Sequence, residues 1–111
     1  MKDDANVIAW LLEGDPAIRW QVQRDLMGKA RRTWLAERAR TATTGWGADL
    51  LARQDSDGGW GGGVYSPKWT STTYTLLTLC DIGVPGNNAA ARRGGAHAVD
   101  ALLGERVDAL F

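Results

Sequence analysis

Residues 54–77 read Gln-Asp-Ser-Asp-Gly-Gly-Trp-Gly-Gly-Gly-Val-Tyr-Ser-Pro-Lys-Trp-Thr-Ser-Thr-Thr-Tyr-Thr-Leu-Leu, and the architecture turns on this stretch. Five glycines among the nine residues 55–63 cannot sustain a helix, because each brings backbone freedom that a helix must remove. Segment 55–67 is therefore a structured loop. Helical periodicity flanks it on both sides. Before it, Trp34, Leu35, Ala39, Ala42, Trp46, Leu50 and Leu51 recur at helical spacing through 32–54, with a break at Thr43-Thr44-Gly45. After it, Trp69, Thr72, Thr73, Leu76, Leu77 and Cys80 share one broad face of a helix over 68–82, which Gly83-Val84-Pro85-Gly86 terminates.

Further out, the same reading continues toward both ends. Residues 6–13 form a short apolar helix closed by Gly14. Asp15-Pro16 then supplies an N-cap carboxylate and a proline whose fixed φ suits the first turn of the next helix. In that helix Ile18, Val22 and Leu26 make one apolar stripe, and Gly28 stops it, so 6–28 is a helical hairpin. A last helix over 88–103 buries Ala91, Gly95, Ala98, Val99 and Leu102, its small residues inviting close approach of a neighbouring helix. The apolar tail 105–111 reads as the start of another element. No pair of segments alternates as strands do, so the chain is predicted to be an all-α, single-domain protein of about five helices arranged as hairpins.

Composition narrows the function classes. Thirteen basic and thirteen acidic residues give a formal net charge of zero over 111 residues, with no block of like charge to draw nucleic acid or an anionic membrane. The mixed run 29–40 contains Glu37 among its basic residues and reads as a solvated face. The apolar run 7–12 is too short to span a bilayer, and acidic Asp3 and Asp4 stand where a secretory signal carries positive charge. A cytoplasmic protein without a membrane span is expected. A lone cysteine, Cys80, excludes an intrachain disulfide and a multi-cysteine zinc site, and its place in the 68–82 stripe makes it a small core residue.

Gln54, Gly58 and Trp60 carry a resemblance. They reproduce the Gln-x-x-x-Gly-x-Trp core of a QW repeat, and residues 45–82 resemble one repeat of the squalene-hopene cyclase and protein prenyltransferase superfamily. That resemblance implies an α/α toroid, with outer and inner helices in hairpins. It also implies a structural job for Gln54, Gly58 and Trp60: the amide bonds backbone at a helix end, the indole covers it, and the glycine lets the chain turn. A closed ring takes more hairpins than 111 residues supply, so the resemblance points to an incomplete ring, an amino-terminal part of a longer protein or a reduced relative.

The catalytic groups of that superfamily are missing from the sequence. There is no Asp-x-Asp-Asp motif to supply a protonated acid; Asp55 and Asp57 stand in a glycine-rich turn that water keeps ionised. Asp55, Asp57 and Gly58 also fail to continue as a calcium loop. Cys80-Asp81 and the single His97 do not make the aspartate, cysteine and histidine set of a zinc-dependent prenyltransferase. No catalytic residue, metal or cofactor is assigned. The expectation is a non-catalytic module whose aromatic inner face, Trp60, Tyr65, Trp69, Thr73 and Tyr74, holds an apolar or isoprenoid-like small molecule. Its uncovered helix faces would seek a second copy or the rest of a longer chain. Two alternatives stand beside it. One is a fragment of a cyclase-like or prenyltransferase-like enzyme whose catalytic groups lie outside this chain. The other is a HEAT-like α-solenoid interaction module, because residues 15–26 resemble one helix of such a repeat.

Overall fold

The computed structural model describes residues 2–110, with side chains described for residues 4–103. Within them the chain forms α-helices, one 3-10 turn and no strand, as the all-α reading requires. Helix α1 (Lys2–Leu11) begins earlier than its apolar period predicts, with Asp4 in the first turn, where a carboxylate complements the positive end of the helix dipole. It closes in a turn in which Gly14 donates to the Leu11 oxygen at 3.1 Å.

Helix α2 (Pro16–Asp25) starts as its punctuation dictates: the Asp15 carboxylate accepts from Ala17 N at 2.8 Å and proline takes the first position. It ends where Gly28 adopts φ +59° and Lys29 N bonds back to the Gln23 oxygen at 2.9 Å. The buried set differs from the predicted stripe. Pro16, Ala17, Trp20 and Val22 are buried, Ile18 is half-buried, and Leu26 is exposed. The helix packs against α3, α4 and α5 at once, so no single stripe of it is the inner face.

Helix α3 (Arg31–Ala39) runs into a 3-10 turn (Arg40–Ala42), and α4 (Gly45–Ala52) restarts after the predicted break. Asp15 explains the angle of that restart. Its Oδ2 caps α2 while its Oδ1 accepts from Trp46 N at 2.7 Å, so one carboxylate closes the first turns of two helices. Gly45, at φ +77°, is where the chain swings to meet it, and a methyl group there would run into Oδ1.

Helix α5 (Thr72–Ile82) starts later than the period predicts, because Trp69 adopts φ +74°, which no helix accommodates. Its buried face is Thr72, Thr75, Leu79 and Ile82; Leu77 and Cys80 face solvent, which corrects the core role read for Cys80. The helix is apolar nearly all round, so period alone does not choose a face, and the threonines go inward because their hydroxyls find partners there.

Helix α6 (Ala89–Leu110) is one continuous helix through 105–110 of the segment read as a separate tail, whose last residue lies outside the described residues. Among its described side chains Gly94 and Ala98 are the buried positions, while Val99 is exposed and Gly95 has open space beside it. At Gly94 the close approach is by the Trp60 ring and the Gly58 oxygen of the loop, while α6 also packs against α5. Ala17, Trp60, Leu79, Ile82 and Val84 make the core cluster, with Leu50, Leu51, Leu76 and Ala91 against it.

Part of the basic run is structural. Glu37, 8% exposed, accepts from Arg19 Nε at 2.7 Å and Arg40 Nη1 at 3.1 Å, joining α2 to α3. Arg38 donates to the Gly83 oxygen at 2.8 Å and lies over Trp20, 5.3 Å from the ring centre.

The Asp15 double cap generates a graded prediction. Asp15→Ala orphans both amides and should lower stability by about 2 kcal/mol in urea unfolding, whereas Asp15→Asn keeps one acceptor oxygen and should lose about half as much. Equal losses from the two variants would show that a single neutral acceptor rescues neither cap, against the graded account.

Candidate functional site

Two places on the molecule gather the residues of interest: the glycine-rich loop 53–71, and a cleft between α2, α4 and α5. The loop is organised by side chains that bond main chain. Gln54 Nε2 donates to the Gly58 oxygen and to the Ala90 oxygen, each at 2.8 Å, so one amide ties the turn to the start of α6. Trp60 is 2% exposed; its indole N–H donates to the Leu50 oxygen at 2.8 Å, at the C-terminal end of α4. Its own amide donates to Thr72 Oγ1 at 2.9 Å, and that hydroxyl donates to the Trp60 oxygen at 3.2 Å. Gly58, at φ +99°, turns the chain against Arg93 and His97 of α6.

The aromatic set read as a ligand face does not come together. Trp60 lies inside the core, while Tyr65 and Trp69 are exposed and Thr73 and Tyr74 half-buried. Trp69 and Tyr74 do pair, with ring centres 5.3 Å apart, and the Lys68 ammonium stands 4.7 Å over the Trp69 ring. That indole face is thus shared with a cation from its own chain.

Beside the loop lies a polar hollow of about 310 Å³ bordered by Asp55, Asp57, Thr72 and His97. Its acids are engaged by backbone: Asp57 Oδ1 accepts from Gly59 N at 2.8 Å, and Asp55 Oδ2 accepts from Gly62 N at 3.3 Å. His97 Nε2 stands 3.8 Å from Asp57 Oδ2. The Thr72 hydroxyl is fully buried and doubly bonded to Trp60, so it is not free to act as a nucleophile. Among the described residues no group of three or more His, Cys, Asp or Glu side chains could hold a metal ion. Elsewhere, the hydrogen bond between Arg24 and Asp25 lowers the Asp25 carboxyl and raises the Arg24 guanidinium from their ordinary values, both groups being open to solvent.

The larger feature is the cleft, of about 530 Å³. Each helix contributes at helical spacing: Ala17, Ile18 and Gln21 from α2; Trp46, Asp49, Leu50 and then Arg53 from the α4 side; Thr78, Asp81 and Ile82 from α5. Ala17 and Ile82 are buried in its floor, Ile18 and Leu50 are half-buried, and Trp46 is 55% exposed. Gln21 Nε2 donates to the Ala17 oxygen of its own helix at 2.8 Å and, across to α5, to the Asp81 main-chain oxygen at 3.3 Å. Trp46, Leu50 and Ile18 stand out in the sequence as apolar positions at helical spacing. Asp49, Arg53 and Asp81 do not, because their placement depends on three helices distant in sequence meeting.

Compared with protein-family models, curated proteins and solved structures, the chain matches none. Among the described residues no helix is long and apolar enough to cross a membrane.

The loop geometry predicts a difference between two substitutions at Trp60. Trp60→Ala empties a buried site and should cost about 3 to 5 kcal/mol, while Trp60→Phe keeps most of the ring volume, leaves the Leu50 oxygen with only its bond from Arg53 N, and should cost about 1 kcal/mol. Urea titration followed by far-UV circular dichroism separates the two. A Trp60→Phe variant as stable as the parent would mean that the indole hydrogen bond contributes nothing.

Proposed function

We propose that this chain is a non-catalytic helical module, of the α/α-toroid kind that its QW-like segment resembles, which binds an apolar small molecule in the cleft between α2, α4 and α5. The observation that carries the reading is that cleft: about 530 Å³, within the range of small-molecule sites, apolar in its floor and walls, with a tryptophan left exposed at its edge. An isoprenoid-like chain suits such walls because it needs area and shape, and few hydrogen bonds. The place differs from the aromatic face read in the sequence, since Trp60 gives no surface to a ligand and Trp69 is already stacked by Lys68. The toroid part of the reading is supported by Gln54 and Trp60, which bond main chain at helix ends around a glycine turn.

The non-catalytic part rests on the chemistry present. Protonating an alkene needs a carboxylic acid kept neutral in a dry site, and ionising a prenyl diphosphate needs a metal or clustered cations. The cleft offers two exposed carboxylates and one arginine.

One further observation favours association with a protein surface as well. Val7 and Trp10 of α1 are 50% and 68% exposed, and a second apolar hollow of about 420 Å³ runs from Trp10 and Leu11 to Ile18, the residue it shares with the cleft. In this reading α1 pairs with a second copy or with further chain, leaving the cleft to its ligand.

Titration with a short prenyl alcohol, followed by calorimetry and by amide chemical shifts, tests the proposal. Saturable binding should perturb residues of α2, α4 and α5, and Trp46→Ala should weaken it about tenfold, in line with the loss of one large buried apolar contact, while Trp69→Ala leaves it unchanged. Binding that depends on Trp69 and ignores Trp46 would return the site to the loop. For the α1 surface, sedimentation should show a species heavier than the 12.0 kDa chain that Trp10→Ser abolishes; a monomer at all concentrations would remove that second role.

A further inference from the structure

The rim of the cleft is not neutral in its chemistry. Asp49 of α4 and Asp81 of α5 carry exposed carboxylates at its mouth, and among the described residues neither enters an ion pair. Two of the neutral donor side chains of the rim are already committed. Gln21 Nε2 donates to the main-chain oxygens of Ala17 and Asp81, and Thr78 Oγ1 donates to the Tyr74 oxygen at 2.9 Å. Arg53 is the one cationic group, set against two acids, so the mouth is left with net negative charge and a surplus of acceptors. Beside it the half-exposed Trp46 presents an indole, the ring type that best attracts a cation.

An apolar body in the cleft therefore meets, where it emerges, groups that reward a positive donor and penalise an anion. We propose that the occupant is a cationic amphiphile: an apolar chain lodged over Ala17, Ile18 and Ile82, bearing an ammonium head that Asp49 and Asp81 receive. This rests on the cleft being the apolar site argued above, and it adds the charge of the head group. A diphosphate or carboxylate head of the same chain length is disfavoured, because one arginine faces two like charges for it.

Three probes with one eight-carbon chain and different heads test this directly: octylammonium, octanol and octanoate, each below its micelle concentration, titrated at pH 7 and low salt by calorimetry and amide chemical shifts. The expected order is ammonium tightest, by about fivefold over the alcohol, with octanoate weakest; exposed charge contacts of this kind supply factors of that size. Raising the salt should shrink the ammonium advantage. Asp49→Asn combined with Asp81→Asn should bring ammonium and alcohol within about twofold of each other. Both positions are exposed, and the amide chemical shifts of the ligand-free variant verify that the cleft is still formed. Arg53→Gln should widen the ammonium advantage.

Alcohol or octanoate binding the cleft as tightly as ammonium overturns the head-group assignment and leaves the apolar site standing. Binding of no probe at α2, α4 and α5 overturns both. A cleft covered in solution by a second copy, seen as a dimer that Trp46→Ala dissociates, overturns the amphiphile and assigns the surface to self-association.

Discussion

The indole N–H of Trp60 meets the main-chain oxygen of Leu50 at 2.8 Å, and with the ring 2% exposed the donor has little water to turn to if that bond is lost. Much of the molecule hangs from this contact. It adds a second bond to a carbonyl at the end of α4 that Arg53 N also reaches at 3.2 Å, fixes the ring over the core, and presses its edge into α6 where Gly94 leaves no side chain in the way. Through its own amide and carbonyl the same residue grips Thr72, the first residue of α5. A single tryptophan thus holds three helices in place, and Gln54 adds a second tie from the turn to Ala90.

A second tryptophan works alike on the other side of the core. Trp20 of α2 is 6% exposed and donates its indole N–H to the Ile82 oxygen at 2.8 Å, at the end of α5. Its ring lies close against Gly83, with the guanidinium groups of Arg24 and Arg38 at 4.6 and 5.3 Å from its centre, and it sits 6.0 Å from the Trp34 ring of α3. Gly83 carries φ +100°, so glycine there serves both the turn that ends α5 and the space the indole needs. With Trp20 locking α2 to α5, Trp60 locking α4 to α5, and Asp15 capping α2 and α4 together, the three helices around the cleft are fixed pairwise. The cleft is a product of these polar ties, which hold helices at set angles without filling the space between them.

What the sequence made legible was punctuation. Asp15-Pro16, the break at 43–45, the glycine island and the stop at Gly83 all mark element ends in the structure, because capping and left-handed turns are local chemistry that a few adjacent residues determine. Faces were far less legible. On α5 the apolar period named Leu77 and Cys80, whereas Thr75, Leu79 and Ile82 go inward; on α2 it named Leu26 and passed over Trp20. The choice in both cases depends on which distant carbonyl or hydroxyl is waiting, and periodicity carries no such information. Asp15 was readable as the cap of its own helix. Its second partner, Trp46 N, lies 31 positions along and follows only from the packed structure. The cleft was illegible for the same reason: three short sets of helical spacing were present, with nothing local to show that they face one another.

The distribution of apolar side chains ties folding to the proposed function. The core cluster is small, and its largest member, Trp60, is held by hydrogen bonds as much as by packing. Meanwhile Trp10, Trp46, Trp69, Leu26 and Leu77 stay more than half exposed, apolar area that a chain of this size could have used to stabilise its interior. Apolar material entering the cleft would cover part of Trp46 and extend the contacts of Ile18 and Leu50, adding burial that the folded chain alone does not have. Since the cleft exists only when α2, α4 and α5 are docked, an occupant binds the folded state and not the unfolded chain, and its affinity appears directly as added stability. A fold anchored by tryptophan hydrogen bonds at helix ends, with a thin core beside an open apolar cleft, is therefore one whose stability should depend on what fills that cleft.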